Sequence, residues 1–305
     1  MKTPYTPKLV LAVACLMLTL AASHAAIVIQ ESFDYGGSDG SLNGLGSAGS
    51  GWSGSWSTGT TTYTGSPSFN EDYRSAGLTF SSLAVSGGSA FLSANGDGFI
   101  SAGRLHSASV TGTLYGSYLF RTANPSPTGL YSLFEGSGLG VGSANGQFAI
   151  EPDGYASSNG GVITGGAYTY ASGTPISANE TYLSLFKVTN LGGSSVSQTA
   201  TMWLLRESQY DNFLAGGIDE TELNAATLGS GASDVLQRAT RTITNSASFS
   251  NGGMLTLQSY FGPSGQFDEI RISDTSLNEL LAVPEPSHAL LAVLGFASLI
   301  LRRKR

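Results

Sequence analysis

The side chains able to do chemistry are few in this chain, and their spacing argues against most reactions. His106 is the one histidine of the body, since His24 and His288 lie near the two ends. A serine hydrolase would have to use it as the base of a triad, but Leu105-His106-Ser107 reads as an ordinary strand edge or turn. With no second body histidine and Cys15 as the single cysteine, a zinc centre has no His and Cys ligands to draw on. Carboxylates are more numerous. Retaining glycosidases need two that face each other about 5 Å apart. Glu151-Pro152-Asp153 brings two close in sequence, yet Pro152 makes this a poor segment for a central strand. Asp268 and Glu269 are neighbours, so on a strand they point to opposite faces, and Glu269 is placed to pair with Arg271 beside a buried Ile270. No catalytic residue is assigned. Asn95-Gly96-Asp97-Gly98 and Asp39 sit in Gly-rich breaks and offer the oxygens that calcium takes. Neither has the helix-loop-helix calcium pattern, and Asn-Gly-Asp-Gly is also a plain tight turn. Calcium is thus the one ion considered, with no metal residue assigned and no cofactor required. Trp52 and Trp56 would stack on sugar rings if exposed and would anchor the core if not.

These residues must be held by strands. The chain has 305 residues, 41 of them glycine, with 13 Tyr, 14 Phe and only 11% charged residues. Glycine punctuates turns, while Thr and aromatic side chains suit half-buried strands, so the composition predicts an all-β body. Strands are expected at 27–33, 78–80, 90–92, 114–121, 147–150, 181–188, 199–205, 253–260 and 267–273. In 181–188 both alternating sets are largely apolar, which predicts a central strand covered on both faces. A short helix is expected within 219–228, and Ser276-Leu277-Asn278-Glu279 has capping-box spacing ahead of Leu280 and Leu281. No repeat and no interior linker divides residues 26–281, so one domain is expected. A parallel β-helix is the alternative architecture.

Charge narrows the partners. The chain holds 14 basic and 21 acidic residues; without Lys2, Lys8, the four basic residues at 302–305 and Glu285, 8 basic and 20 acidic remain, a net −12. Such a body repels nucleic acid, whose binding rests on neutralising phosphates.

The two ends carry the strongest signals. Lys2 and Lys8 precede an apolar stretch of 14 residues, Leu9 to Ala22, and Ser23-His24-Ala25 supplies small residues before a cut between Ala25 and Ala26. This is the layout of a secretory signal peptide over residues 1–25. It is shorter than the ~20 residues a spanning helix needs, and Ala12-Val13-Ala14 is a poor lipobox for Cys15. At the other end Pro284, Glu285 and Pro286 are followed by 13 apolar residues, Ala289 to Leu301, and then by Arg302, Arg303, Lys304 and Arg305. The prolines favour extended backbone. The apolar run makes a short transmembrane helix, and the basic cluster stays on the cytoplasmic side.

This ordered arrangement resembles the PEP-CTERM sorting signal of Gram-negative bacteria that make exopolysaccharide. The resemblance implies a sorting segment over 283–305, recognised by the membrane protease exosortase. It implies a protein held transiently at the inner membrane, body outward, and then released to the cell surface or extracellular matrix. Signal peptidase and exosortase are then the processing partners, with exopolysaccharide as a candidate ligand.

The body shows a second resemblance. Glu31-Ser32-Phe33-Asp34-Tyr35, Tyr115 to Arg121 and Phe267 to Ser273 look like strands of exported proteins with concanavalin A-like jelly rolls. The fold this implies is an antiparallel jelly-roll β-sandwich whose first and last strands lie near each other. In the glucanase branch of that fold the catalytic carboxylates lie on one strand as Glu-x-Asp-x-x-Glu. Here Glu151-Pro152-Asp153 lacks the third. The expectation is a non-catalytic, polysaccharide-binding envelope or matrix protein. The alternative is an exported glycan-active hydrolase or lyase with an unfamiliar site, and a third class is a self-associating scaffold.

Overall fold

The computed structural model describes residues 27–46, 50–61, 69–94, 99–123, 130–135, 139–144, 147–151, 172–193, 196–245, 249–260 and 264–281. Among these, sixteen strands form two sheets. The ten-stranded sheet runs β11 (Ser172–Gly173), β14 (Gln237–Asn245), β13 (Val196–Leu205), β12 (Thr181–Leu191), β7 (Gly112–Thr122), β16 (Ser264–Ser273), β5 (Ser89–Ala94), β4 (Phe69–Arg74) and β2 (Gly40–Ser41). The first strand, β1 (Ile27–Glu31), pairs with the last, β16. The six-stranded sheet runs β10 (Gln147–Glu151), β9 (Leu139–Ala144), β8 (Leu130–Glu135), β15 (Met254–Tyr260), β6 (Phe99–His106) and β3 (Trp52–Thr61). Every ladder between these strands is antiparallel, which removes the parallel β-helix alternative.

Period-two patterning explains the layers. Tyr118, Phe186, Met202 and Phe267 of the larger sheet meet Trp56, Ile100 and Leu257 of the smaller one in a single buried core. The alternate residues Leu119, Leu183, Leu185, Trp203 and Leu205 point to the far side of the larger sheet, where they are buried as well. Bare, each would forgo about 1.5–3 kcal/mol of burial. A second layer covers them: α1 (Glu207–Gly216), α2 (Glu220–Ala225), α3 (Leu277–Leu281) and the loop from Ser75 to Gly88. The central position expected for 181–188 is observed, with β12 between β7 and β13. Gly116 lies opposite Phe186 on the neighbouring strand, and any side chain there would overlap the Phe186 ring.

One expected strand needs correction, and β3, β4, β6, β8, β9, β14 and α1 were not foreseen. Leu78 and Phe80 are not on a strand: they are buried plugs in the loop that caps the second core. The Gly- and Ser-rich stretch around Trp52 contains β3, because Thr and Trp pair well against β6 even without an apolar run. Helix α1 was not foreseen. It starts through a backbone-to-side-chain cap, in which the Arg206 amide donates to Gln209 Oε1 at 3.0 Å. The helices expected within 219–228 and at 277–281 are present as α2 and α3.

Candidate functional site

Where β1 meets β16 the chain buries charge. Glu31 and Arg104 are 4% and 1% exposed, and Arg104 Nη1 donates to Glu31 Oε2. Glu31 Oε1 accepts from the Phe33 amide at 2.8 Å. Arg104 Nε donates to Gly54 O at 2.8 Å, its Nη2 donates to Gly46 O, and its guanidinium lies 4.5 Å from the Trp52 ring centre. The arginine therefore staples the loop around β3 to the sheet. Trp56 stacks on Phe33 and donates Nε1 to the Tyr35 hydroxyl at 2.7 Å, while Trp52 Nε1 donates to Gln30 O at 2.8 Å. Burial, and then the charge of Glu31, push the Tyr35 hydroxyl far above the usual phenol range. Trp52 and Trp56 are 8% and 1% exposed, so the condition for sugar stacking is not met and both rings serve as core anchors.

Asp268, Glu269 and Arg271 form a second buried group. The pairing of Glu269 with Arg271 is as the spacing predicts: Arg271 Nη2 lies 2.8 Å from Glu269 Oε2, and both side chains are buried beside Ile270. The expectation that Asp268 and Glu269 point to opposite faces is corrected. The ladder shifts register between Asp268 and Arg271, and Glu269 takes left-handed backbone at φ 46. Both carboxyls consequently reach the same loop. Asp268 Oδ2 accepts from the Leu78 amide at 2.7 Å, and Glu269 Oε1 accepts from the Ser86 amide at 2.6 Å. Arg271 ties in two further segments, donating to Ala84 O at 2.6 Å and to Leu280 O of α3 at 2.8 Å. Burial pushes the Asp268 carboxyl up to about 9. Burial also raises Glu269, although Arg271 pulls it the other way. These groups hold segments together.

The other expected site residues fall as follows. Asp39 is exposed and accepts from the Ser75 amide at 2.8 Å, Ser75 Oγ at 2.7 Å and Arg74 Nη1 at 3.2 Å. The bond from the Ser75 amide is the main cause that lowers its carboxyl below the usual range. His106 ends β6 fully buried, with Nδ1 3.0 Å from Ala108 O and its ring stacked on Phe249 at 4.3 Å. Asn95 to Gly98, Pro152, Asp153, Ala25, Ala26, Pro284, Glu285, Pro286, Arg302, Arg303, Lys304 and Arg305 lie outside the described residues. Among the described residues no helix is long and apolar enough to cross a membrane, and the apolar run 289–301 lies outside them.

A shallow, open groove of about 440 Å3 lies between α1 and α2. Asn212, Phe213 and Gly216 of α1, Glu222 of α2, Ala226 and Ser233 line it. Its walls are tied down. Asp219 caps α2 by accepting from the Thr221 amide, and Arg238 Nη1 donates to Leu223 O at 2.9 Å and Asn224 O at 2.6 Å at the other end. Gln209 donates to Gly229 O at 2.9 Å, and Asp234 accepts from the Gly231 amide at 2.8 Å, which fixes the third wall. Its polar residues come from three separate segments, so no linear pattern marks it.

No protein-family model matches the sequence, and no curated protein matches it. Solved structures are similar in shape. The botulinum neurotoxin serotype C1 binding domain shares 8% identity at TM-score 0.40, over 70% of this chain and 45% of that one, so this chain spans less than half its length. The metal-free carbohydrate recognition domain of Emp46p shares 7% identity at TM-score 0.39, over 73% and 89% of the two chains. A PL-14 alginate lyase from Aplysia kurodai shares 12% at TM-score 0.35, over 64% and 85%. Likeness of this size assigns neither a family nor a function.

Proposed function

We propose that this is an exported, non-catalytic envelope or matrix protein that binds polysaccharide and is sorted through its C-terminal segment. The observation that carries the reading is the ordered tail: Pro284-Glu285-Pro286, 13 apolar residues, then Arg302 to Arg305, in a chain that opens with a signal-type leader. The apolar run spans ~20 Å as a helix at 1.5 Å per residue. It is short for a ~30 Å hydrocarbon core, as suits a transient anchor. Signal peptidase and an exosortase-type protease are the processing partners in this reading, and the cell surface or matrix is the destination. We read the sandwich as a jelly roll of the concanavalin A-like kind, supported by the antiparallel pairing of β1 with β16. The body acts by holding its ligand, since its buried carboxylates Asp268 and Glu269 are engaged by backbone amides and Arg271.

Fractionation of cells tests the reading. The wild-type chain is expected at the surface and in the medium. A variant with Pro284, Glu285 and Pro286 changed to alanine is expected to accumulate uncut in the inner membrane. Identical distribution of the two would overturn it.

A further inference from the structure

We propose that α3 is a strap that holds the sorting segment short against the body, and that its release lengthens the tether and sets how fast the tail is removed. This rests on the sorting reading above and adds what regulates it.

The spacing is tight. Leu281, the last residue of α3, is 8% exposed, and the apolar run begins at Ala289. Residues 282–288 alone separate them, so the tether reaches at most ~25 Å when fully extended. The headgroup layer on one side of the bilayer takes up ~5–8 Å of that reach. While α3 is docked, a membrane protease therefore has to work within ~20 Å of a folded sandwich. Release changes the reach. The chain is then free from Asp274 onwards, since β16 ends at Ser273, and residues 274–281 add ~28 Å.

The helix is held by its contacts and not by itself. Its five residues fall far below the length at which a helix is stable alone in water. Leu277, Leu280 and Leu281 are buried in the second core, and Arg271 Nη1 donates to Leu280 O at 2.8 Å. That arginine is shared, because its Nη2 serves Glu269 and Ala84 O. The N-terminal cap is long, with the Glu279 amide donating to Ser276 Oγ at 3.4 Å.

One group opposes docking. Glu279 Oε2 is buried with no hydrogen-bond partner among the described residues, and release returns it to water. The neighbouring cover does not depend on α3. Asp268 and Glu269 hold the loop from Ser75 to Gly88 through the Leu78 and Ser86 amides, and Gln209 ties α1 to Gly229 O. The strap can therefore leave while these segments stay in place.

Pulse labelling of the full chain in cells, with loss of the tail followed over time, tests this. The first variant inserts eight Gly and Ser residues between Ala282 and Val283, which lengthens the tether and leaves the contacts of α3 in place. It is expected to lose its tail at least about threefold faster than the wild type, because the protease can then engage the tail with α3 still docked. Leu280→Ser, which weakens docking, is expected to act in the same direction and to add nothing once the insertion is present. Equal or slower tail loss in the insertion variant overturns the strap, as does further acceleration when Leu280→Ser is added to it. In either case the sorting reading stands if the chain with Pro284, Glu285 and Pro286 changed to alanine stays uncut. If the wild type and the insertion variant both keep their tails, both readings fail.

Discussion

The β1–β16 junction and the α1–α2 groove both gather carboxylates, and they differ in what those carboxylates touch. At the junction Glu31, Asp268 and Glu269 are each held by backbone amides, and two of them also by an arginine. In the groove Glu222 faces solvent with no protein partner among the described residues. Residue type therefore says little about function here. A carboxylate whose oxygens are fully engaged organises the fold, and an exposed one contributes little to its stability. The junction should respond to substitution with a large loss of stability, and Glu222 with almost none.

The largest expected effect is at Arg271. Arg271→Met leaves Glu269 buried without its counter-charge and strips Ala84 O and Leu280 O of their donor, which should cost about 3–5 kcal/mol in urea unfolding. Adding Glu269→Gln should recover a large part of that loss. If Arg271→Met cost less than about 1 kcal/mol, the junction would not be an organising centre.

Next comes the proton on Asp268. Burial holds its carboxyl at about 9, above the ordinary aspartate value of 3.8, so the native state favours the protonated form. The stability this contributes is fully present below about pH 4 and is lost as pH rises through about 9. Melting temperature should fall across that window. Asp268→Asn should flatten the slope while costing about 1–3 kcal/mol at low pH, because an amide cannot accept from both Leu78 N and Glu269 N. An unchanged slope in the variant would contradict the assignment.

An effect of similar size is expected at Gly116, where Gly116→Ala pushes a methyl into the Phe186 ring and should cost about 1–3 kcal/mol. The smallest is in the groove. Glu222→Gln should move stability by no more than about 0.5 kcal/mol. A larger loss would mean that Glu222 belongs with the structural carboxylates.

Much of the sandwich is legible in the sequence, and the reasons are local. Thr181 to Val188 is apolar in both alternating sets, which only a strand between two layers satisfies, and Glu269 with Arg271 flanks Ile270 at a spacing that pairs them. The Gly- and Ser-rich surroundings of Trp52 and Trp56 conceal β3, whose strand character comes from pairing with β6 and not from its own pattern. Leu78 and Phe80 look like a strand because a short apolar run does not distinguish a strand from a plug. The bulge at Asp268 and Glu269 is likewise invisible, since a left-handed glutamate is imposed by the loop it holds. The groove depends on Asn212, Glu222 and Ser233 converging after α1, α2 and the following loop have packed on the sheet, and no linear pattern encodes that.

The central claim is export followed by trimming at both ends. Intact-mass and terminal-peptide measurement on the protein recovered from the cell surface or medium tests it most directly. A chain beginning at Ala26 and lacking the apolar and basic residues 289–305 is expected. A full-length chain from Met1 to Arg305, recovered from the cytoplasm, would contradict it.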